Sequence, residues 1–286
     1  MTKLVPPPDP HPKKPRMKVP VGATDCHFHV YGPADHYPML SNRDHTAPDA
    51  PASAARHLFG TLGIQRAVIV QPSVYGTDNR RQLDAMSEIG IEMRAVVIVA
   101  PDISDGEMQR LHDAGARGVR MIGGGRGVID YSNLERIADR NRELGWHIEF
   151  LIWPEHIVEF EQRMTKLSCP IVIDHLAFMD SRTGLQQPGF QSLLRLAAHD
   201  HCWLKLSAGN RLSPGDPPYP DLLPYVRKII DVGADRLVWG SDWPHNAFFG
   251  RMPNTTDLLD LLLDWIPHEQ TRNQVLFNNP ARLYGF

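Results

Sequence analysis

Two histidines separated by a single residue are the clearest chemical signal in this 286-residue sequence. They are His27 and His29, and they lie in a short apolar run that reads as a β-strand. Side chains two residues apart in a strand point to the same face, so the two imidazoles would project together. Such a pair suits a metal ion or a substrate oxygen, although two hydrogen-bonded core histidines would have the same spacing.

Two later apolar runs also end in ionisable side chains. Residues 171–173 lead to Asp174 and His175, and residues 236–239 lead through Gly-Ser to Asp242. We expect His175 to face the two N-terminal histidines and Asp174 to point the other way, into the layer between sheet and helices. Asp242 is then a candidate general base or metal ligand, with a local turn bond to its own backbone as the structural alternative.

Three arginines lie within or shortly after other strand-like runs. They are Arg120, Arg126, which lies beyond three glycines, and Arg211. The planar guanidinium group pairs with carboxylates through two hydrogen bonds, so these arginines predict an acidic substrate.

The elements that must position these side chains alternate regularly along the chain. Apolar, β-branched runs predict eight strands, at residues 24–30, 66–71, 94–99, 118–122, 147–152, 170–175, 202–207 and 236–240, with helix-like segments between them. Eight such units predict a single α/β domain over residues 21–286, a (β/α)8 TIM barrel with its active site at the C-terminal ends of the strands. The alternative is a doubly wound open sheet, but the turn after the first strand lacks the glycine-rich fingerprint of such folds.

Residues 1–20 contain seven prolines. Proline interrupts helices and strand pairing, so we expect an extended proline-rich N-terminal arm on the surface or against a neighbouring subunit.

Composition excludes several classes of partner. The formal charge of −3 gives no reason to expect nucleic acid or an anionic membrane, and no apolar run is long enough to span a bilayer. The three cysteines are too scattered for a disulfide framework, so reduced thiols and a cytoplasmic location are expected. The sequence leaves open whether the chain forms a homo-oligomer.

The His-x-His pair, the histidine at 175 and the sequence WGSDWPH at 239–245 together resemble the amidohydrolase superfamily, in its amidohydrolase-2 branch. The resemblance covers nearly the whole chain after residue 20. Within the branch the chain looks most like the 2-pyrone-4,6-dicarboxylate lactonases, through QPSVYGTDN at 71–79, RGVR at 117–120 and QPGF at 187–190.

This resemblance implies hydrolysis of a carboxylate-bearing lactone with no required metal. In that family the aspartate of strand 8 activates water, histidines hold the lactone carbonyl and arginines hold the substrate carboxylates. Carried over, these are Asp242; His27, His29 and His175; and Arg120, Arg126 and Arg211, with Ser73 as an added contact.

Two departures from the family pattern bear on cofactor and substrate. Metal-dependent relatives carry a histidine near the end of strand 5, where this chain has Leu151, which favours a metal-free site. If one zinc or manganese ion is bound, its ligands are His27, His29, His175 and Asp242. The pyrone lactonases carry tyrosines where this chain has His45 and Leu151, which points to another carboxylated lactone.

Several alternatives share these residues. A sugar-acid lactonase or a lactone isomerase of the same branch would use the same barrel, and a metal-dependent decarboxylase or amidase would lose activity on chelation. A non-catalytic binding protein would show affinity for a small carboxylated lactone without turnover.

Overall fold

The computed structural model describes residues 2–123 and 131–286. In this part of the chain, eight parallel strands form one sheet in which each strand pairs with the next along the sequence. The strands are β1 (Thr24–Phe28), β2 (Arg66–Val70), β3 (Glu92–Val97), β4 (Ala116–Ile122), β5 (His147–Leu151), β6 (Ile171–Ile173), β7 (Cys202–Leu206) and β8 (Leu237–Trp239). All eight strands predicted from the apolar runs are confirmed, with ends that differ by at most two residues.

The first and last strands meet, so the sheet closes on itself. Just beyond their ends, the backbone N–H of Asp242 donates to the carbonyl of His27 and the N–H of His29 donates to the carbonyl of Trp243, each at 2.8 Å. This closure gives a barrel-like sheet surrounded by helices, and the open doubly wound sheet is wrong. The same two bonds bring the His-x-His pair beside the aspartate that follows β8.

Helices connect successive strands. They are α1 (Ala52–Leu62), α2 (Arg80–Ile89), α3 (Asp105–Asp113), α4 (Leu134–Glu143), α5 (Pro154–Met164), α6 (Pro188–Ala197), α7 (Leu223–Gly233) and α8 (Thr255–Trp265), followed by the helical turns Glu269–Asn273, Gln274–Asn278 and Asn279–Tyr284. Helix α1 ends at Gly63 and α2 at Gly90, both in the left-handed conformation that glycine adopts without strain. No helix in residues 2–123 or 131–286 is long and apolar enough to cross a membrane.

The barrel interior contains both apolar and charged side chains. Its apolar layer is formed by Cys26, Val68, Val70, Val96, Val172, Trp203, Val238 and Tyr284. Glu149 pairs in register with Val172, and Lys205 pairs with Val238, so both charged side chains share the inner face with this layer. Register partners in parallel strands point to the same side of the sheet.

Residues 2–20 lie along the barrel. Lys3–Leu4 form a short parallel ladder with His45–Thr46, ahead of the first proline. Further along, the carboxylate of Asp260 in α8 accepts the backbone N–H groups of Arg16 and Met17 at 3.0–3.1 Å. The two-residue ladder lies outside the proline-containing stretch, for which no helix and no paired strand interior is expected.

Candidate active site

A cavity of about 460 Å³ opens at the C-terminal ends of the barrel strands. That volume suits a small organic molecule. Its polar lining consists of His29, Asp44, His45, Ser73, Arg120, His175, Asn210, Arg211, Asp242 and Asn246, and its apolar lining includes Ile122, Leu151, Trp153, Phe178 and Phe248. The rings of Trp153 and Phe178 are stacked, 5.7 Å apart with 26° between their planes.

Asp242 lies where histidines from two strands converge. Its Oδ1 is 4.0 Å from Nε2 of His27 and 3.8 Å from Nε2 of His175. Its Oδ2 accepts a hydrogen bond from Nε of Arg211 at 3.0 Å. Arg211 thus orients the carboxylate, and the two longer distances leave room for a small oxygen-containing group next to Oδ1.

His27 and His29 project to the same side, as their spacing predicts. Their ring centroids are 4.9 Å apart. Nδ1 of His29 lies 2.7 Å from the carbonyl oxygen of Val70, which can only accept, so Nδ1 is protonated. Burial, with the nearby Arg120 cation, lowers the pKa of His29 to about 3. The ring is therefore neutral, and its Nε2 presents a lone pair.

His175 reaches the site because the chain leaves strand geometry immediately after β6. The φ angles of His175 and Leu176 are 49° and 48°, in the left-handed region. Nδ1 of His175 lies 2.7 Å from Oγ of Ser207, and burial lowers the pKa of His175 to about 3.

Asp174 does not point outward, so that expectation is wrong. It continues the inward face of β6 and is fully buried, with Oδ2 3.1 Å from Arg120 and Oδ1 2.9 Å from Lys205. Strand alternation assigned opposite faces to residues 174 and 175. The turn to positive φ at His175 brings both side chains into the barrel.

A layer of buried charge lies directly beneath the histidines. Nζ of Lys205 is 2.6 Å from Oε2 of Glu149, and Arg120 contacts both Asp174 and Glu149. Burial lowers the pKa of Lys205, but the carboxylates of Asp174 and Glu149 outweigh it and raise the pKa above its ordinary value. Two cations and two acids at this depth compensate one another, as buried charges must.

Comparison with known proteins shows the family of this chain. The family model described as Amidohydrolase matches residues 24–286, the whole barrel. The chain belongs to the amidohydrolase family.

Individual relatives of this amidohydrolase cover nearly all of it. It is 37% identical to a 4-sulfomuconolactone hydrolase of Hydrogenophaga intermedia, over 94% of this chain and 91% of that one. It is 36% identical to a 2-pyrone-4,6-dicarboxylate hydrolase of Comamonas testosteroni, over 96% and 93%. A crystal structure from Agrobacterium tumefaciens superposes with a TM-score of 0.86 at 28% identity, over 95% and 98%. The resemblance inferred from the motifs is confirmed at the level of the family.

Of the residues expected to bind the substrate, some line the cavity of the amidohydrolase and one lies outside the described part of the chain. Arg120 and Arg211 line the cavity, but each already contacts an acid, Asp174 and Asp242 respectively. Ser73 lines the cavity from the turn after β2. Arg126 lies outside the described residues.

A metal ion could be held at this site. Among the described residues, His27, His175 and Asp242 bring donor atoms within 4.8 Å of one another, and His29 does not belong to that group. Three protein ligands and an open position are typical of catalytic zinc. Nε2 of His27 is buried and has no hydrogen-bond partner in residues 2–123 and 131–286, so the set fits a single ion by position.

Sequence reasoning missed Lys205 and Glu149. Each is a charged residue in the middle of an apolar strand, CWLKL in β7 and HIEFL in β5. Ionisable side chains are rarely buried unless they are paired, so two of them in interior strands predict a buried ion pair. That signal was present, but the partner and the depth in the barrel depend on the strand register.

Proposed function

We propose that this protein hydrolyses a carboxylate-bearing lactone, a 2-pyrone-4,6-dicarboxylate-like ring, with Asp242 as the general base. The observation that supports this most directly is the position of the Asp242 carboxylate. It lies between His27 and His175 and is oriented by Arg211, on the wall of a cavity sized for one small ring.

The chemical step uses a water molecule next to Oδ1 of Asp242. The carboxylate takes a proton from that water, and the water oxygen bonds to the lactone carbonyl carbon while the π pair moves onto the carbonyl oxygen. When the carbonyl re-forms, the ring C–O bond breaks, and the leaving oxygen takes the proton back from Asp242. The product is the open-chain acid, and Asp242 is regenerated.

Binding uses the aromatic and the cationic side chains. The stacked rings of Trp153 and Phe178 offer a flat apolar surface to a planar, unsaturated ring. Arg120, Arg126 and Arg211 bind the carboxylates, and Ser73 adds a hydrogen bond. Leu151 and His45 stand where the pyrone lactonases carry tyrosines, and both line the cavity. We therefore expect a carboxylated lactone other than the pyrone dicarboxylate itself.

No metal ion is required in this proposal. If zinc or manganese binds, His27, His175 and Asp242 hold it, and the ion supplies polarisation of the carbonyl oxygen. The general base, the cationic side chains and an activated lactone supply the same needs without it.

A panel of carboxylated lactones at neutral pH tests the function. Acid release is followed by titration, the product is identified by mass spectrometry, and the metal content of the same preparation is measured. We expect net acid release from a carboxylated lactone, persisting after chelation and dialysis. Interconversion of lactones without acid release would favour the isomerase, and activity that tracks zinc or manganese occupancy would overturn the metal-free mechanism.

A further inference from the structure

Lys205 contacts His27 on the side of the ring that faces away from Asp242. It is fully buried in β7, and its Nζ lies 3.0 Å from Nδ1 of His27, the ring whose other nitrogen faces Asp242. The same Nζ is 2.6 Å from Glu149 and 2.9 Å from Asp174. Two carboxylates at these distances keep the amine protonated.

An ammonium group has three N–H donors and no lone pair, so every polar partner of Lys205 must accept. Nδ1 of His27 is one of those partners and therefore carries no proton. An imidazole ring whose Nδ1 accepts a hydrogen bond carries its single proton on the other nitrogen. That proton is on Nε2.

A different arrangement is within reach of the same ring. Oδ1 of Asp174 lies 3.3 Å and Oε1 of Glu149 lies 3.5 Å from Nδ1 of His27. Without the ammonium, Nδ1 could carry the proton and donate a hydrogen bond to one of these carboxylates. Nε2 would then present a lone pair, which is how metal-bound histidines are usually arranged.

The tautomer of His27 matters because the surroundings of His29 and His175 do not fix an N–H donor that faces Asp242. His29 bonds the Val70 carbonyl through Nδ1, which leaves its Nε2 as an acceptor. His175 contacts the Ser207 hydroxyl, which can donate or accept. His27 is thus the ring whose surroundings fix a donor next to Asp242.

We propose that Lys205 is a positioning residue that holds His27 in the tautomer with its proton on Nε2, so that His27 donates a hydrogen bond to the lactone carbonyl oxygen. This inference rests on the proposed lactone hydrolysis for its catalytic consequence. His27 transfers no proton in the reaction, and its N–H stabilises the negative charge that develops on the carbonyl oxygen. In this state His27 does not serve as a metal ligand through Nε2.

The direct test is ¹⁵N NMR of the histidine side chains in the wild-type protein, with the His27 signals assigned from a His27→Gln variant. Protonated and bare imidazole nitrogens resonate far apart. We expect Nε2 of His27 to be protonated and Nδ1 to be bare. The reverse pattern overturns the proposal, and this measurement needs no change at Lys205.

A matched pair of variants then tests the cause. Glu149→Gln keeps the Lys205–His27 contact, and adding Lys205→Met to it removes that contact. The double variant has lost one negative and one positive charge, so the net charge of the interior is unchanged. Relative to Glu149→Gln, we expect the double variant to move the His27 proton to Nδ1. Loss of one oxyanion donor should lower kcat about 10²–10³-fold, with a smaller change in KM.

The outcomes separate the two proposals. If His27 keeps its proton on Nε2 in a folded double variant, Lys205 does not set the tautomer. If the tautomer changes but kcat does not, His27 is not the donor to the carbonyl oxygen. If no lactone is hydrolysed by the wild-type protein, the proposed function fails while the NMR result for Lys205 still stands.

Discussion

Arg211 and the two histidines leave Oδ1 of Asp242 as the accepting atom of the site. Asp242→Asn keeps the shape and the contact with Arg211, but an amide cannot take a proton from water. We expect kcat to fall about 10²-fold or more, with little change in KM, measured by steady-state kinetics on the lactone that the wild-type protein turns over.

Asp44 provides the matched control, since it is another acid of the cavity wall and bonds Nδ1 of His45 at 2.6 Å. Asp44→Asn should lower kcat far less than Asp242→Asn. Similar losses in the two variants would mean that the cavity needs negative charge in general rather than a base at residue 242.

Arg211 has two roles in this proposal, orientation of Asp242 and binding of a substrate carboxylate. Its guanidinium also donates to the backbone carbonyl of Asn246, and an ammonium cannot reproduce that forked geometry. Arg211→Lys should lower kcat on every lactone and, in addition, raise KM for a carboxylated one. A lost charged hydrogen bond costs about 1.5–3 kcal/mol, which is roughly 10–150-fold.

Paired substrates separate these roles. The kinetics of Arg211→Lys are measured on a dicarboxylated lactone and on the same ring without the carboxylates. An added KM penalty confined to the carboxylated substrate supports carboxylate binding, and equal losses on both restrict Arg211 to holding Asp242.

At the scale of elements, a register shift in the pairing of β1 with β2 turns the His27 side chain toward the site. Asp25 pairs with Ala67, but Phe28 pairs with Ile69, so one extra residue is accommodated between them. The Asp25 carboxylate accepts the N–H of His27 at 3.0 Å and the N–H of Ser241 at 2.9 Å. This side chain ties β1 to the loop that carries Asp242, and it lets Cys26 and His27 both face inward.

Asp25→Ala should therefore impair both stability and catalysis. It leaves two buried N–H groups without an acceptor, at a cost of about 1–3 kcal/mol each, and loosens His27 relative to Asp242. Urea unfolding and kcat measure the two effects. Asp25→Asn retains the accepting oxygen and should lose much less of either, so equal losses in the two variants would show that the carboxylate charge, rather than the bond to both strands, matters.

For the molecule as a whole, the sequence predicts the features that depend on a local pattern of residues. Eight buried strands follow from eight apolar runs, and Asp242 could be assigned to the site because it directly follows one of them. Asp174 could not be placed, because its direction depends on the backbone turn after β6. Lys205 and Glu149 could not be paired, because β5 and β7 are joined only through the register of the barrel. Strict strand alternation would place Cys26 opposite His27, but the shift in β1 turns both side chains to the same interior.

The stability of the whole barrel also depends on pH, because several of its histidines are buried and neutral in the folded protein. Burial lowers the pKa of His147 to about 3, with the Lys205 cation adding to the effect. The unfolded chain binds a proton to this residue below a pKa of about 6.5, whereas the folded protein does not until about 3. The contribution to stability is therefore complete above pH 6.5 and is lost as the pH falls, by about 1.4 kcal/mol per pH unit for each such histidine.

His147 tests this without touching the cavity. Its ring packs edge-on against Tyr284, and neither ring nitrogen has a hydrogen-bond partner in residues 2–123 and 131–286. In urea unfolding at several pH values between about 7 and 4.5, His147→Leu should flatten the decline in the free energy of unfolding by about 1.4 kcal/mol per pH unit below pH 6. His57→Leu, at an exposed position of α1, should leave the slope as it is in the wild-type protein. If His147→Leu shifts the whole curve but keeps its slope, the folded protein protonates this histidine, and the interior around Lys205 is more accessible to water than its burial indicates.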